Sequence, residues 1–214
     1  MLLKGIPLIG YTIKAALKSK YITKVIVSTD CKEIYEIAVR LGAESSFLRP
    51  PELAMDTSLA IDNYIYTIDR LEKDMNSEIE SFIVLQPTSP FRDAIHIDEA
   101  IDIFINKKAD SVISFTEEEH PIFWNKYVDC KGKVTSIFDN EKLDNRQNYS
   151  KTYSPNGAIY IFKKHLINSR LYYSDKTFGY IMDRGVSIDI DTKEDFEFAE
   201  FKMERRCEGN NNFN

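Results

Sequence analysis

Five short apolar runs recur along the chain: KVIVS (24–28), FIVLQ (82–86), DSVISF (110–115), AIYIF (158–162) and VSIDI (186–190). Runs rich in β-branched residues at successive positions suit strands buried on both faces. Separated by helical patterns, they predict an α/β fold, a doubly wound and mostly parallel sheet covered by helices on both sides. Helices are predicted over 31–41, closed by Gly42, and over 93–107, where Ala94, Ile97, Ala100, Ile101 and Phe104 fall at helical spacing. A charged helix is predicted from about 192. At 214 residues the chain suits one domain. The section from about 116 to 180 breaks the rhythm with aromatic and polar residues and is expected to form an excursion from the sheet. Residues 207–214, ending in EGNNNFN, are too polar to pack and are expected to fray.

Ligands of such sheets bind at the carboxyl ends of the strands. That rule collects Ser28-Thr29-Asp30, then Gln86-Pro87-Thr88-Ser89-Pro90, then Asp189 and Asp191. Ser, Thr and Asp also cap helices, so one such end would carry little weight, but three together point to a site. Asp189 and Asp191 share one face of an extended segment. Asp191, with Glu194 three residues on, reads as a helix N-cap. Asp189 lies inside the run and needs a partner if buried. Two carboxylates on one face repel unless a cation lies between them. With no Cys or His nearby, oxygen ligands favour Mg²⁺ or Mn²⁺ over zinc. Asp191 could serve both roles, one oxygen capping and the other coordinating.

A net charge of −6 argues against a nucleic-acid binder, and no apolar run approaches a bilayer span. Three widely separated cysteines, Cys31, Cys130 and Cys207, point to a reducing, cytoplasmic setting.

Seven stretches, in this order and spacing, resemble one family. They are PLIGYTIKAAL (7–17), VIVSTD (25–30), LGAESSFLRPPELAMDTS (41–58), VLQPTSPFR (84–92), ADSVISFTEEEHP (109–121), YSPNGAIYIF (153–162) and SIDIDTKEDF (187–196). Together they are similar to the acylneuraminate cytidylyltransferases, or CMP-N-acetylneuraminic acid synthetases, over nearly the whole chain. The resemblance implies a Rossmann-like nucleotidyltransferase fold and transfer of CMP from CTP to an acylated nonulosonic acid, releasing pyrophosphate. It implies Mg²⁺ at Asp189 and Asp191, and cytidine-side roles for Arg49, Asp56 and Thr57. Gln86, Lys126, Arg146, Asn156 and Tyr160 match positions facing the sugar. Tyr172 and Tyr173 match an aromatic pair on an excursion that crosses to a second subunit, so a homodimer is implied. Taken singly, each residue has a plainer reading: Arg49 on a stiff proline loop, PTSP as a turn, Tyr160 as a strand aromatic, Arg146 as a solvated cation.

The departure from the family lies at the start. The family opens with an apolar strand and a glycine-containing, basic phosphate loop, and this sequence begins after both. The resemblance therefore implies a missing first central strand, between KVIVS and FIVLQ, and two edges facing a gap. On this reading Met1 is an internal methionine of a longer protein, and the chain alone is weakly active or inactive. The alternative to an enzyme is a non-catalytic remnant that dimerises and binds the sugar.

Overall fold

A computed structural model describes the backbone of residues 1–138, 145 and 148–211, with side chains of the last helix as far as Arg206. A hairpin of β1 (Leu2–Leu3) and β2 (Ile6–Pro7) turns through Lys4 and Gly5, both at positive φ, and feeds α1 (Leu8–Lys18). Then come α2 (Lys32–Arg40), α3 (Ala60–Met75), β3 (Ser81–Val84), α4 (Ala94–Asn106) and β4 (Ser111–Glu117). A small hairpin, β5 (Lys126–Val128) and β6 (Val134–Ser136), leads to β7 (Tyr153–Lys163), α5 (Lys164–Asn168), β8 (Thr177–Ile181) and α6 (Lys193–Asn211).

The main sheet has the order β3-β7-β4-β8. β4 and β8 are parallel, whereas β7 runs antiparallel to both β3 and β4. The fold is α/β as expected, but the sheet is mixed, with β7 opposing its three companions. The link from β4 to β7 has no crossover helix among its described residues, and a return without a crossover must be antiparallel. The excursion is accordingly shorter than 116–180, because β7 and β8 rejoin the sheet. β8 was not among the expected strands. Its TFGYI carries Gly179 in mid-run, where a Cβ would come 3.3 Å from the Phe115 ring.

The core has two faces. Ile97, Ala100, Val112, Ile159 and Ile161 pack beneath α4, and Ile61, Ile113, Phe162, Leu166 and Ile167 pack beneath α3 and α5. Each fully buried side chain of this size contributes about 1.5–3 kcal/mol of transfer free energy. No described helix is long and apolar enough to cross a membrane.

Two of the predicted strands, 24–28 and 186–190, enter no ladder, and the second begins in a 3-10 turn, Arg184–Val186. On one side, Val25 and Val27 are held by the Glu44 N–H and the Ser45 hydroxyl. On the other side, between residues 22–28 and β3, lies a cavity of about 600 Å³. The last helix also differs from expectation. It continues through Asn211 into the segment expected to fray, while residues 212–214 lie outside the described chain.

Candidate active site

The site is built around an irregularity in β7. Ile113 of β4 pairs with Tyr160, but Phe115 pairs with Pro155, so Asn156 through Ile159 together oppose Ser114 alone. Such bulges bend a strand and re-aim what it carries. The Ser114 hydroxyl clips this one, donating to Asn156 Oδ1 (2.6 Å) and accepting from the Ile159 N–H (2.8 Å). Gly157, at the crest, has φ +75° and faces Gln86 and Asp189. A Cβ on Gly157 would stand 2.5 Å from Gln86 Oε1 and 2.8 Å from Asp189 Oδ2. Only glycine fits there on both counts.

Asp189 is half-buried, and its Oδ1 is buried without a hydrogen-bond partner. Burial pushes its pKa up, and the negative charges of Asp191 and Asp195 push the same way. The Thr88 hydroxyl and the Ile190 N–H oppose the rise by hydrogen bonding to the charged form. The Ile190 N–H also donates to Thr88 O (2.9 Å), which fixes the 189–191 segment against the turn that follows β3.

Asp191 is not the helix cap that the sequence reading made it. The Thr192 hydroxyl accepts from the Asp195 N–H (3.2 Å), and Asp195 Oδ2 accepts from the N–H groups of Asp191 (3.2 Å) and Thr192 (2.8 Å). The capping box therefore belongs to Thr192 and Asp195. Among the described residues it leaves the exposed Asp191 carboxylate uncommitted. An orphaned buried oxygen on Asp189, a free carboxylate two residues on, and local negative charge fit a divalent cation. Among the described residues no group of three or more His, Cys, Asp or Glu is placed to form a protein cage. Mg²⁺ needs none, since it is commonly held by one or two carboxylates with phosphate and water completing its shell.

No sequence signal marks Arg92 beyond its place at the end of LQPTSPFR, yet it is almost wholly buried. Its Nε donates to Ala158 O (3.1 Å), and its Nη2 donates to the Thr12 hydroxyl (2.8 Å) and Gln86 O (3.1 Å). One guanidinium thus ties α1, the turn after β3 and the β7 bulge together. Burial lowers its pKa to about 10, which leaves it charged at neutral pH.

The remaining predicted residues fall into separate groups. Arg49 lies beside Thr29 and Asp30, its N–H on Thr29 O (2.8 Å) and its Nη2 3.4 Å from Asp30 Oδ1. Asp56 and Thr57 are exposed on the following loop. Ser28, Arg49 and Pro87 share the wall of the cavity beside β3, so the Arg49 group and the Gln86 turn face a common space. Tyr160, partly buried on β7, feels both Tyr173 and Asp189, and Tyr172 packs on Phe162 with ring centroids 5.7 Å apart. The aromatic pair thus lies near Tyr160 of this chain. Lys126 Nζ donates to Phe123 O (2.9 Å) within the excursion, and Arg146 lies outside the described residues.

Asn156 departs most from its expected sugar-facing role. It is buried, and its amide is fully engaged: Oδ1 accepts from Ser114 and the Ala158 N–H, and Nδ2 donates to Ser187 Oγ and Met182 Sδ. Those four contacts use its donors and acceptors. Its place is structural, joining the bulge to the segment that carries Asp189.

The sequence pattern of the cytidylyltransferase family matches residues 1–209. The chain belongs to this cytidylyltransferase family. An N-acylneuraminate cytidylyltransferase of Escherichia coli O18:K1:H7 is 37% identical over 195 residues, 90% of this chain and 45% of that protein. The CMP-N,N'-diacetyllegionaminic acid synthase of Legionella pneumophila is 36% identical over 95% of this chain and 88% of its own length. This family member thus spans about half the length of the first of these relatives. The solved structure of a CMP:2-keto-3-deoxy-manno-octonic acid synthetase complexed with CTP shares its fold, with a TM-score of 0.70 at 13% identity, covering 96% of this chain and 91% of that one.

Proposed function

We propose that the chain transfers CMP from CTP to an acylated nonulosonic acid. The observation that carries this reading is the convergence of Gln86 and Asp189 over Gly157, with Asp189 Oδ1 buried and unpartnered. In the proposed reaction the sugar's anomeric oxygen bonds to the α-phosphorus of CTP. The bond from that phosphorus to the bridging oxygen breaks, pyrophosphate leaves, and the hydroxyl proton passes to solvent. Asp189 and Asp191 would hold Mg²⁺, which when bound neutralises phosphate charge and aligns the attacking and leaving oxygens. Arg49, with Asp56 and Thr57 on the adjoining loop, serves the nucleotide. Gln86, Tyr160 and Tyr173 offer an amide and two phenols to the sugar, with Lys126 and Arg146 contributing from the excursion, which we also assign to pairing with a second copy of the chain. The names of the relatives support a nonulosonate acceptor, and they include a Campylobacter jejuni pseudaminic acid cytidylyltransferase, 28% identical over 200 residues.

The test is pyrophosphate release from CTP with N-acetylneuraminate, a legionaminic acid or pseudaminic acid, each with and without Mg²⁺. Turnover with one sugar, weak for this chain by itself and abolished by chelation and by Asp189→Asn, is the expected result. Saturable sugar binding without turnover of CTP would instead favour the non-catalytic reading.

A further inference from the structure

The loop that carries Asp56 and Thr57 hangs between two anchors. Upstream, the Arg49 N–H donates to Thr29 O, and the chain then makes a 3-10 turn, Pro51–Leu53. Within the loop, the Ser58 hydroxyl donates to Glu52 O (2.9 Å) and accepts from the Met55 N–H (3.2 Å), which closes residues 52–58 on themselves. Downstream the loop runs straight into α3, so the start of α3 decides where Asp56 and Thr57 stand. That start is chemically bare. Its N-cap residue is Leu59, whose side chain can accept no hydrogen bond from the first turn. The buried Ile61 seats the helix on the core, but apolar burial has no direction.

The directional contacts come from a turn far along the chain. α5 ends in a Schellman motif, with the Leu171 N–H on Leu166 O (3.1 Å) and the Arg170 N–H on Ile167 O (2.8 Å). Arg170 fills the left-handed position of that motif at φ +59°, where glycine or asparagine is usual. From there its Nη1 donates to Asp62 Oδ1 (2.8 Å), in the first turn of α3. Two residues on, Tyr172 packs in the same cluster as Ile61, with its ring against Phe162 and its carbonyl accepting from the Ser111 hydroxyl (3.0 Å). Burial pushes the Tyr172 phenol up, and the Ile61 N–H opposes the rise by hydrogen bonding to its charged form. One of the bare donors of α3 is thus turned toward this phenol. The family resemblance groups Tyr172 with Tyr173 on the sugar side, but the contacts of Tyr172 lead to α3.

We propose that Arg170 and Tyr172 are positioning residues for the nucleotide: they hold the start of α3, and through it the Asp56–Thr57 loop, in place to receive CTP. The proposal rests on the reading of that loop as the nucleotide's. It divides the aromatic pair, with Tyr173 serving the sugar and Tyr172 the nucleotide.

The test compares Arg170→Gly, Tyr172→Phe and the double variant with the parent chain. Arg170→Gly relieves the left-handed strain and adds glycine's freedom in the unfolded chain, so its melting temperature is expected to stay within about 4 °C of the parent. An exposed ion pair is worth a factor of about two to five, and hydrogen exchange at the Met55, Ser58 and Asp62 amides is expected to quicken by that factor. Exchange at Ile68, further along α3, is expected to stay as it was. By titration calorimetry, the Kd for CTP is expected to rise to a similar extent, and that for N-acetylneuraminate to hold. Tyr172→Phe keeps the ring, loses only the phenol oxygen, and is expected to show the same split. The double variant is expected to weaken CTP binding about tenfold.

Unchanged exchange at Ser58 and Asp62 in the double variant overturns the proposal. So does a Tyr172→Phe that weakens the sugar as much as CTP, since the phenol would then belong to the sugar wall. A loop that loosens while CTP binds as before overturns it too, because the loop would not be the nucleotide's. A parent chain that takes up no CTP is a failure of the transferase reading itself, seen before any variant is made. Unchanged exchange with CTP still bound is the failure of this inference alone.

Discussion

Gln86 Oε1 and Asp189 Oδ2 converge on the bare face of Gly157, so close that a single methyl group cannot be placed between them. The two groups come from segments a hundred residues apart, and the β7 bulge sets their spacing. Gly157→Ala is therefore expected to separate a loss of function from a loss of fold. Positive φ costs a non-glycine residue about 1–2 kcal/mol, and the flexible end of Gln86 can swing aside. Displacing two groups that position a reaction by an ångström is expected to cost about a hundredfold in turnover. Thermal melts and pyrophosphate release, measured on the same preparation, check this. Unchanged turnover would place the chemistry elsewhere.

Asp191 and Thr192 are neighbours with unrelated tasks. Thr192→Ala removes the cap of α6 and is expected to cost about 1 kcal/mol with turnover nearly intact. Asp191→Asn touches no cap, so its stability is expected to stay within about 0.5 kcal/mol of the parent. Its affinity for Mn²⁺, read by electron paramagnetic resonance, is expected to fall. If Asp191→Asn destabilises and Thr192→Ala does not, the cap has been assigned to the wrong residue.

Much of this arrangement was legible from residue patterns. Apolar runs located β3, β4 and β7, and the predicted bounds of α2 and α4 and the predicted start of α6 fall within a residue or two of the observed ones. The strand-end rule brought Gln86 and Asp189 together before any geometry was known. What stayed hidden depended on partners distant in sequence. The reversal of β7 follows from the form of the link before it. TFGYI reads as a weak strand until Phe115 explains Gly179. Asn156 and Arg92 are polar residues whose burial is decided largely by Ser114 and Ser187 for the first and by Thr12 and Ala158 for the second, each more than thirty residues away in sequence. The Asp191 reading failed because D-T-K-E and T-K-E-D overlap as capping patterns, and the backbone took the second.

Asp110 gives the fold an acid-sensitive joint. Lys163 Nζ lies 3.0 Å from its Oδ1, and the Ser174 hydroxyl donates to its Oδ2 (3.2 Å), linking the ends of β4, β7 and the approach to β8. The Lys163 hydrogen bond is the largest influence holding its pKa below the ordinary 3.8. A folded-state pKa below the unfolded one means the contribution is fully present above 3.8 and is lost as pH falls through the lowered value. Urea unfolding of the parent is expected to weaken as pH drops below 3.8, and Asp110→Asn is expected to show a shallower loss over that window. Identical acid limbs would assign the acid sensitivity to other carboxylates, such as Glu72 or Asp195, whose pKa values are also lowered.

Arg92 is charged, buried and without a carboxylate partner at salt-bridge distance among the described residues. A buried cation is kept at a cost, and here the return is geometric, since its three hydrogen bonds fix Gln86 and the Gly157 bulge relative to α1. Replacement by an apolar residue of similar size is sometimes harmless where both members of a buried pair are removed. At this position only the donor goes, and the Gln86 and Ala158 carbonyls remain. The Gln86 carbonyl keeps the Thr12 hydroxyl and the Ser89 N–H as donors, so Arg92→Met is expected to cost about 1–3 kcal/mol, chiefly through the Ala158 carbonyl it leaves unpaired. Arg92→Lys keeps the charge but cannot reproduce the planar fork, so it is expected to recover part of the stability and little of the alignment. Its signature is a sugar KM that rises more than the KM for CTP, because Gln86 moves and Arg49 does not. Full recovery of both constants in Arg92→Lys would show that charge alone, and not the fork, holds the site in register.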